Sequence, residues 1–165
     1  RTIIPRALID AIGTFHLRSK LVKTGEGWTF YQGPAVTVLG ARLADSWKDA
    51  LPKSAEDERV FDADRDGKPG VTVKVVGLVS GSIYLVQRGW TELTGTLSAT
   101  GISGRVRWHM TQTILDSTSA FLKVNPNARP DSAPDASYFR MVRIPKNTTC
   151  KELNRTRASI FKEFE

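Results

Sequence analysis

The chain has 165 residues, 40% of them hydrophobic and 25% charged, with a formal net charge of +7. That length is one domain able to bury a core, the composition is ordinary for a folded soluble protein, and no apolar run approaches the roughly 20 residues of a membrane-spanning helix. One cysteine, Cys150, and two histidines exclude an internal disulfide and an ordinary zinc site.

Cys150 is read as a packed thiol, or as the partner of a cysteine elsewhere. The basic residues are spread along the chain without a dense block, so a solvated basic surface is favoured over a nucleic-acid interface. The chain opens on Arg1 rather than Met, consistent with a processed or trimmed segment ahead of it.

Residues 1–10 carry Ile3, Ile4, Leu8 and Ile9 around Pro5. Pro5 cannot donate to a strand ladder, so this is an edge segment or a short lead-in. Residues 12–22 alternate as a strand would, with Gly13, Phe15, Leu17 and Leu21 on one side. A turn over 23–27 follows, then Trp28, Phe30 and Tyr31, then a break at Gly33-Pro34. Residues 35–43 read as a strand with Val36, Val38 and Gly40 on one face. Residues 45–51 read as a short helix capped by Asp45 or Ser46 and ended by Pro52, or else as part of a long loop.

Phe61 leads into Asp62, Asp64 and Asp66 at alternate positions, and Gly67 follows directly. A tight turn converges the three carboxylates on one point, where they repel one another unless a cation sits between them. Ca²⁺ suits such a point, because it takes about six to eight hard oxygen ligands in a flexible shell. Gly67 sits where the chain turns sharply, the carbonyl of Lys68 is placed to be a further ligand, and Arg65 points outward to soften the field. Remaining ligands would come from water, a carbonyl, or a distant acid such as Glu56, Asp57 or Glu58. The alternative is a solvated Asp-Gly turn with no metal.

This D-x-D-x-D-G run resembles the calcium-loop core of EF-hands, dockerins, thrombospondin-type repeats and FG-GAP repeats, over residues 61–70 only. An EF-hand carries a bidentate Glu at the twelfth loop position, where this chain has Val73. FG-GAP loops resemble it more, since Gly67-Lys68-Pro69 leads straight into a strand. They carry an Asp at the ninth position, where Gly70 stands, and they occur in repeats, which this chain lacks. The resemblance implies a structural Ca²⁺ that fixes a turn and the register of the strand after it. It implies neither an EF-hand nor a propeller.

The clearest β signal comes next: Val71, Val73 and Val75 alternate with Thr72 and Lys74. After a turn at Ser80-Gly81, residues 82–89 and 90–97 read as strands, with Gly95 as a bulge, and residues 101–104 as a turn. Residues 105–115 read as a long strand. Val106, Trp108, Met110, Gln112 and Ile114 lie on one side, and Arg105, Arg107, His109, Thr111 and Thr113 on the other. Residues 119–124 read as another strand, 125–135 as an irregular Pro-, Asn- and Asp-rich loop, and 138–144 as the last strand. Thr149-x-x-Glu152 is a capping box. It opens an amphipathic helix over about 150–163, with Leu153, Ile160, Phe161 and Phe164 near helical spacing, to pack on the sheet or dock on a partner. Together these elements predict a mainly β chain, an antiparallel β-sandwich or barrel with a C-terminal α-helix, as a single domain over 1–165.

No nucleophile elbow, phosphate loop or dinucleotide fingerprint occurs; the run G-L-V-S-G at 77–81 does not match the first. Arg105, Arg107 and His109 share a strand face that could hold an anion, or that is an ordinary polar sheet surface. Trp28, Trp90, Trp108, Tyr84 and Tyr138 are a sugar- or lipid-binding face, or core and cross-strand packing. Asn147-Thr148-Thr149 and Asn154-Arg155-Thr156 match the glycosylation acceptor. The leading expectation is a non-catalytic, secreted or periplasmic β domain stabilised by one Ca²⁺, binding a protein or polysaccharide partner or forming part of a larger assembly. A lipocalin-like barrel holding an apolar ligand and a polysaccharide-acting enzyme using His109 and an acid are the alternatives. A nucleic-acid binder comes last.

Overall fold

The computed structural model describes residues 2–12, 16–25, 27–123, 129–133 and 136–161. The chain is mainly β: among the described residues one antiparallel sheet of seven strands curls into a half-barrel, and a helix follows near the C-terminal end. The strands are β1 (Thr2–Ile3), β2 (Ser19–Thr24), β3 (Gly27–Leu39), β4 (Val71–Val75), β5 (Gly81–Leu97), β6 (Gly101–Ser117) and β7 (Tyr138–Val142). The helices are α1 (Arg6–Ile12) and α2 (Cys150–Ile160). No described helix is long and apolar enough to cross a membrane.

β5 is the spine. One of its edges pairs with β6 along nearly its whole length, from Ile83↔Ser117 to Leu97↔Ile102. Its other edge is shared: β4 takes one end, from Val71↔Leu85 to Val75↔Gly81, and β3 the rest, from Leu39↔Gln87 to Thr29↔Thr96. β2 extends β3, β1 extends β4 and β7 extends β6. β3 and β4 therefore lie end to end along β5. The chain leaves the sheet at Gly40 (φ 76°) and returns at Gly70 (φ 81°), both in the left-handed region that favours glycine.

The core gathers at this junction. Leu8, Val71, Ile83 and Leu85 are buried together, with Leu39, Ala63, Val73, Ile114 and Leu122 packed against them. Each such side chain contributes roughly 1.5–3 kcal/mol when fully buried. β4 belongs here because its alternation sends Val71 and Val73 to that cluster, while Thr72 takes the opposite face.

The local readings need several corrections. Residues 6–12 form helix α1 because Leu8, only 4% exposed, packs into the core from it. Pro5 precedes the first turn, where a missing N–H costs nothing. The strand expected over 12–22 is β2 alone, at 19–24; Gly13 and Phe15 lie outside the described residues. Gly33-Pro34 does not break the chain: it is a bulge inside β3, between Gln32↔Leu93 and Ala35↔Thr91, where proline's missing donor is tolerated. Residues 82–89 and 90–97 are one strand, paired in register through Gly95; its irregularity lies between Tyr84 and Leu85, where Leu115 of β6 is the extra residue. Gly95 instead faces Gly104, and a Cβ there would approach Phe139. The turn lies at 98–100, with Gly101 to Gly104 inside β6.

Residues 45–51 are turns and bends rather than a helix. Asp45 does cap them: its Oδ1 accepts from Trp47 N at 2.8 Å and Lys48 N at 3.1 Å. The carbonyls of Ser46, Trp47 and Asp49 are taken by the Arg88 guanidinium of β5, so they need no further helical turn. Residues 119–123 are not a strand. Ala120–Leu122 form a 3₁₀ turn that turns Leu122 toward the core, and Val124 lies outside the described residues. The described residues within 125–135, namely 129–133, are irregular, as expected. Helix α2 begins at the Thr149–Glu152 capping box and ends at Ile160, but none of its residues is buried. The expected packing on the sheet therefore places nothing of it in the core; Phe164 lies outside the described residues.

Candidate metal centre

The acidic loop hangs from the junction by backbone bonds. Phe61 N donates to Gly40 O at 3.1 Å, Gly70 N to Phe61 O at 3.1 Å, and Ala63 N to Gly70 O at 2.9 Å. Both feet of the loop are thus tied to the points where the chain leaves and rejoins the sheet. Ala63 packs against the core cluster, with Asp62 exposed on one side of it in sequence and Asp64 buried on the other.

The three aspartates then organise the loop from within. Asp62 Oδ1 accepts from Asp66 N at 3.2 Å and its Oδ2 from Gly67 N at 2.8 Å. Asp66 Oδ1 accepts from Lys68 N at 2.9 Å and its Oδ2 from Thr72 Oγ1 at 2.6 Å. Asp64 Oδ2 accepts from Thr72 N at 3.0 Å. Arg65 (φ 59°) and Gly67 (φ 81°) supply the left-handed residues that close so tight a turn. Arg65 is exposed, as its outward direction predicts.

Each aspartate places one carboxylate oxygen within 4.8 Å of the others. Oxygens on opposite sides of a Ca²⁺ stand about 4.6–5.2 Å apart, twice the usual metal–oxygen distance, so the span fits one such ion. Asp64 is only 6% exposed, and its Oδ1 has no hydrogen-bond partner. Burial pushes the Asp64 carboxyl up from its ordinary range. The charges of Asp66 and Asp62 push the same way, while the Thr72 N–H works against them. A buried carboxylate oxygen without a partner beside two more carboxylates is unfavourable unless a cation or a bound proton neutralises it.

Lys68 sends its N–H to Asp66 and its ammonium to 5.7 Å from the Tyr84 ring centroid. Two of the three distant acids, Glu56 and Asp57, are engaged elsewhere. Glu56 is hydrogen-bonded to Ser54 Oγ. Asp57 is gripped by Arg59, at 2.9 Å from Nε and 2.7 Å from NH2, which holds its carboxyl down at about 2. Among the described residues, only Asp62, Asp64 and Asp66 form a carboxylate cluster of this kind.

Arg105, Arg107 and His109 are exposed on one face of β6, as the alternation predicts. Arg107 NH1 pairs with Glu92 Oε2 across the strands at 2.9 Å, so a carboxylate interrupts the cationic stripe. His109 stands opposite Trp90 and borders a cavity of about 250 Å³ with Thr37, Leu39, Trp108 and Met110. That volume is below the usual range of small-molecule sites, roughly 300–1,000 Å³.

Two site features were not read from the sequence. Thr72 holds two of the aspartates; a polar residue alternating with the valines of β4 was the available signal. Asp10 of α1 lines the same cavity as Asp64, and nothing in local sequence joins residues so far apart.

No family model, curated protein or solved structure matches the chain. Fold and site together define a mainly β protein, a half-barrel sheet with an acidic cluster that could hold a metal ion. Any narrower reading rests on the residues themselves.

Proposed function

We propose that the chain is a non-catalytic, extracytoplasmic β domain held by one structural Ca²⁺ in the 61–70 loop, and that it binds a protein or polysaccharide partner or forms part of a larger assembly. The observation that carries the reading is Asp64 Oδ1, buried and without a partner among the acids of one turn. Asp62, Asp64 and Asp66 supply carboxylate oxygens, Lys68 its carbonyl, and water part of the remainder. An irregular shell of this kind suits Ca²⁺ better than Mg²⁺, which demands a near-ideal octahedron. Sites of ordinary affinity fill where calcium is plentiful, outside the cytosol. The partner reading is supported by large apolar side chains left exposed, among them Trp28, Trp47, Phe121 and Tyr138.

The ion's work is mechanical. It cancels the repulsion within the loop and locks the return of the chain into β4, whose register with β5 begins at Val71↔Leu85. Calorimetric titration of chelated protein with CaCl₂ tests this. Heat of binding is expected, with stabilisation of about 2.7 kcal/mol at a hundredfold excess over Kd. The absence of both heat and a shift in Tm would overturn it.

A further inference from the structure

β2 pairs with β3 only as far as Ser19↔Gln32, and directly after Gln32 the β3 chain enters its bulge at Gly33-Pro34. The sheet forks where both pairings lapse. A cavity of about 470 Å³ lies at that fork, lined by Arg18 and Lys20 at the start of β2, Gln32 and Gly33 of β3, and Glu92 and Leu93 of β5. That volume falls within the roughly 300–1,000 Å³ of small-molecule sites.

Gln32 is only 8% exposed, yet its side-chain amide makes no hydrogen bond to a described residue. Buried amides are ordinarily paired, so one that lines a cavity unpaired offers a donor and an acceptor to whatever enters it. The fork also carries uncompensated positive charge. Arg18, Lys20 and Lys23 have no ion-pair partner among the described residues. Glu92, the carboxylate of the lining, is taken up by Arg107 at 2.9 Å. Lys20 Nζ stands 5.7 Å from the Tyr31 ring centroid, and Tyr31 lines the cavity too.

We infer that this fork binds an acidic polysaccharide through the carboxylate of a uronic acid unit. Arg18 and Lys20 meet the carboxylate, the Gln32 amide a ring hydroxyl, and Leu93 the C–H face of the sugar. A bare phosphate would use the cations and leave the amide and Leu93 idle. The surface continues along the β2 edge: Trp28, 45% exposed, stands opposite Lys23 and on the same face of β3 as Gln32. Four residues of strand span about 13 Å, longer than one sugar ring, so a chain suits this edge better than a monosaccharide. The inference gives a place to the polysaccharide partner proposed above and does not depend on the calcium ion.

The test is calorimetric titration of the full chain in chelator, its folded state checked by circular dichroism. The titrants are trigalacturonic acid, the neutral trisaccharide maltotriose, inorganic phosphate and a thymidine trinucleotide. Trigalacturonic acid should bind, and the other three at least about tenfold more weakly. Arg18→Gln should weaken its binding about tenfold or more, the loss of a charged hydrogen bond, and Gln32→Leu about fivefold. Gln32→Leu should also melt at or above wild type, because it removes an unpaired buried amide. A Gln32 serving the fold alone would lose stability on this change and keep affinity. A charge-matched change elsewhere on the surface, Lys146→Gln, should bind as wild type does. No binding of trigalacturonic acid, equal or tighter binding of any other titrant, wild-type affinity in Arg18→Gln and Gln32→Leu, or equal loss in Lys146→Gln would overturn the assignment. Each of these outcomes leaves the calcium reading standing.

Discussion

Gly40 and Gly70 stand back to back against β5: a Cβ built on Gly40 would lie 2.7 Å from Gly70 Cα and 3.0 Å from the Leu85 carbonyl oxygen. The exit and re-entry of the 40–70 excursion are thus one close backbone contact. Both residues also have positive φ, so an added side chain meets strain and collision at once. Gly70→Ala should cost about 2–4 kcal/mol, from left-handed strain plus a clash with backbone that cannot retreat. Gly67→Ala, with equal φ but open space around its Cβ, should cost only about 1–2 kcal/mol. Urea denaturation of the two variants in chelator measures the difference.

Asp64→Asn should have opposite effects in the two states of the loop. Without metal it removes a buried charge that burial and two neighbouring carboxylates already penalise, so Tm in chelator should hold or rise. With calcium in excess it removes a ligand, and the calcium-induced rise in Tm should vanish. A variant stabilised by calcium as much as wild type would contradict this.

Asp57 makes the acid limb of the stability curve specific. Its carboxyl is held down at about 2 by Arg59 hydrogen bonds, against an ordinary 3.8. A group depressed in the folded state contributes stability that is whole above the unfolded value and is lost as pH falls through the folded one. The Asp57–Arg59 contribution should therefore be complete at neutral pH and fade between about 4 and 2. Asp57→Asn should flatten that part of the curve. Both side chains are partly exposed, so the effect should shrink with added salt.

Arg88 ties the excursion to the sheet from its other end. Its NH1 lies 2.7 Å from Asp49 O, 3.2 Å from Trp47 O and 3.4 Å from Ser46 O. Arg88→Met keeps the bulk and leaves those carbonyls unpaired, and should cost about 1.5–3 kcal/mol, the worth of a charged hydrogen bond. Amide exchange at 45–49 should rise more than in β5 itself. Uniform exchange across both segments would show that Arg88 does not hold this turn.

Much of the fold was legible wherever side-chain period and local chemistry act alone. Val71, Val73 and Val75 declare β4 by alternation, and Arg105, Arg107 and His109 fall on the exposed face of β6 for the same reason. The Thr149–Glu152 box opens α2 because its two hydrogen bonds are local. The acidic turn was legible too, since carboxylates at alternate positions before a glycine converge whatever surrounds them. The misreadings share a cause. Residues 45–51 carry a helical pattern, but Arg88 takes their carbonyls from 39 or more residues away along the chain. Gly33-Pro34 looks like a stop only until β5 shows a strand continuing past a bulge.

By itself the sequence determined the β class, the acidic turn and the C-terminal helix start, because short-range geometry and side-chain period decide those. Only the tertiary structure decided that Gly40 meets Gly70, that Thr72 braces two aspartates, and that α1 and the acidic loop line one cavity. Contacts between distant residues follow from how the sheet curls and which apolar side chains share its core, and no local pattern encodes that choice.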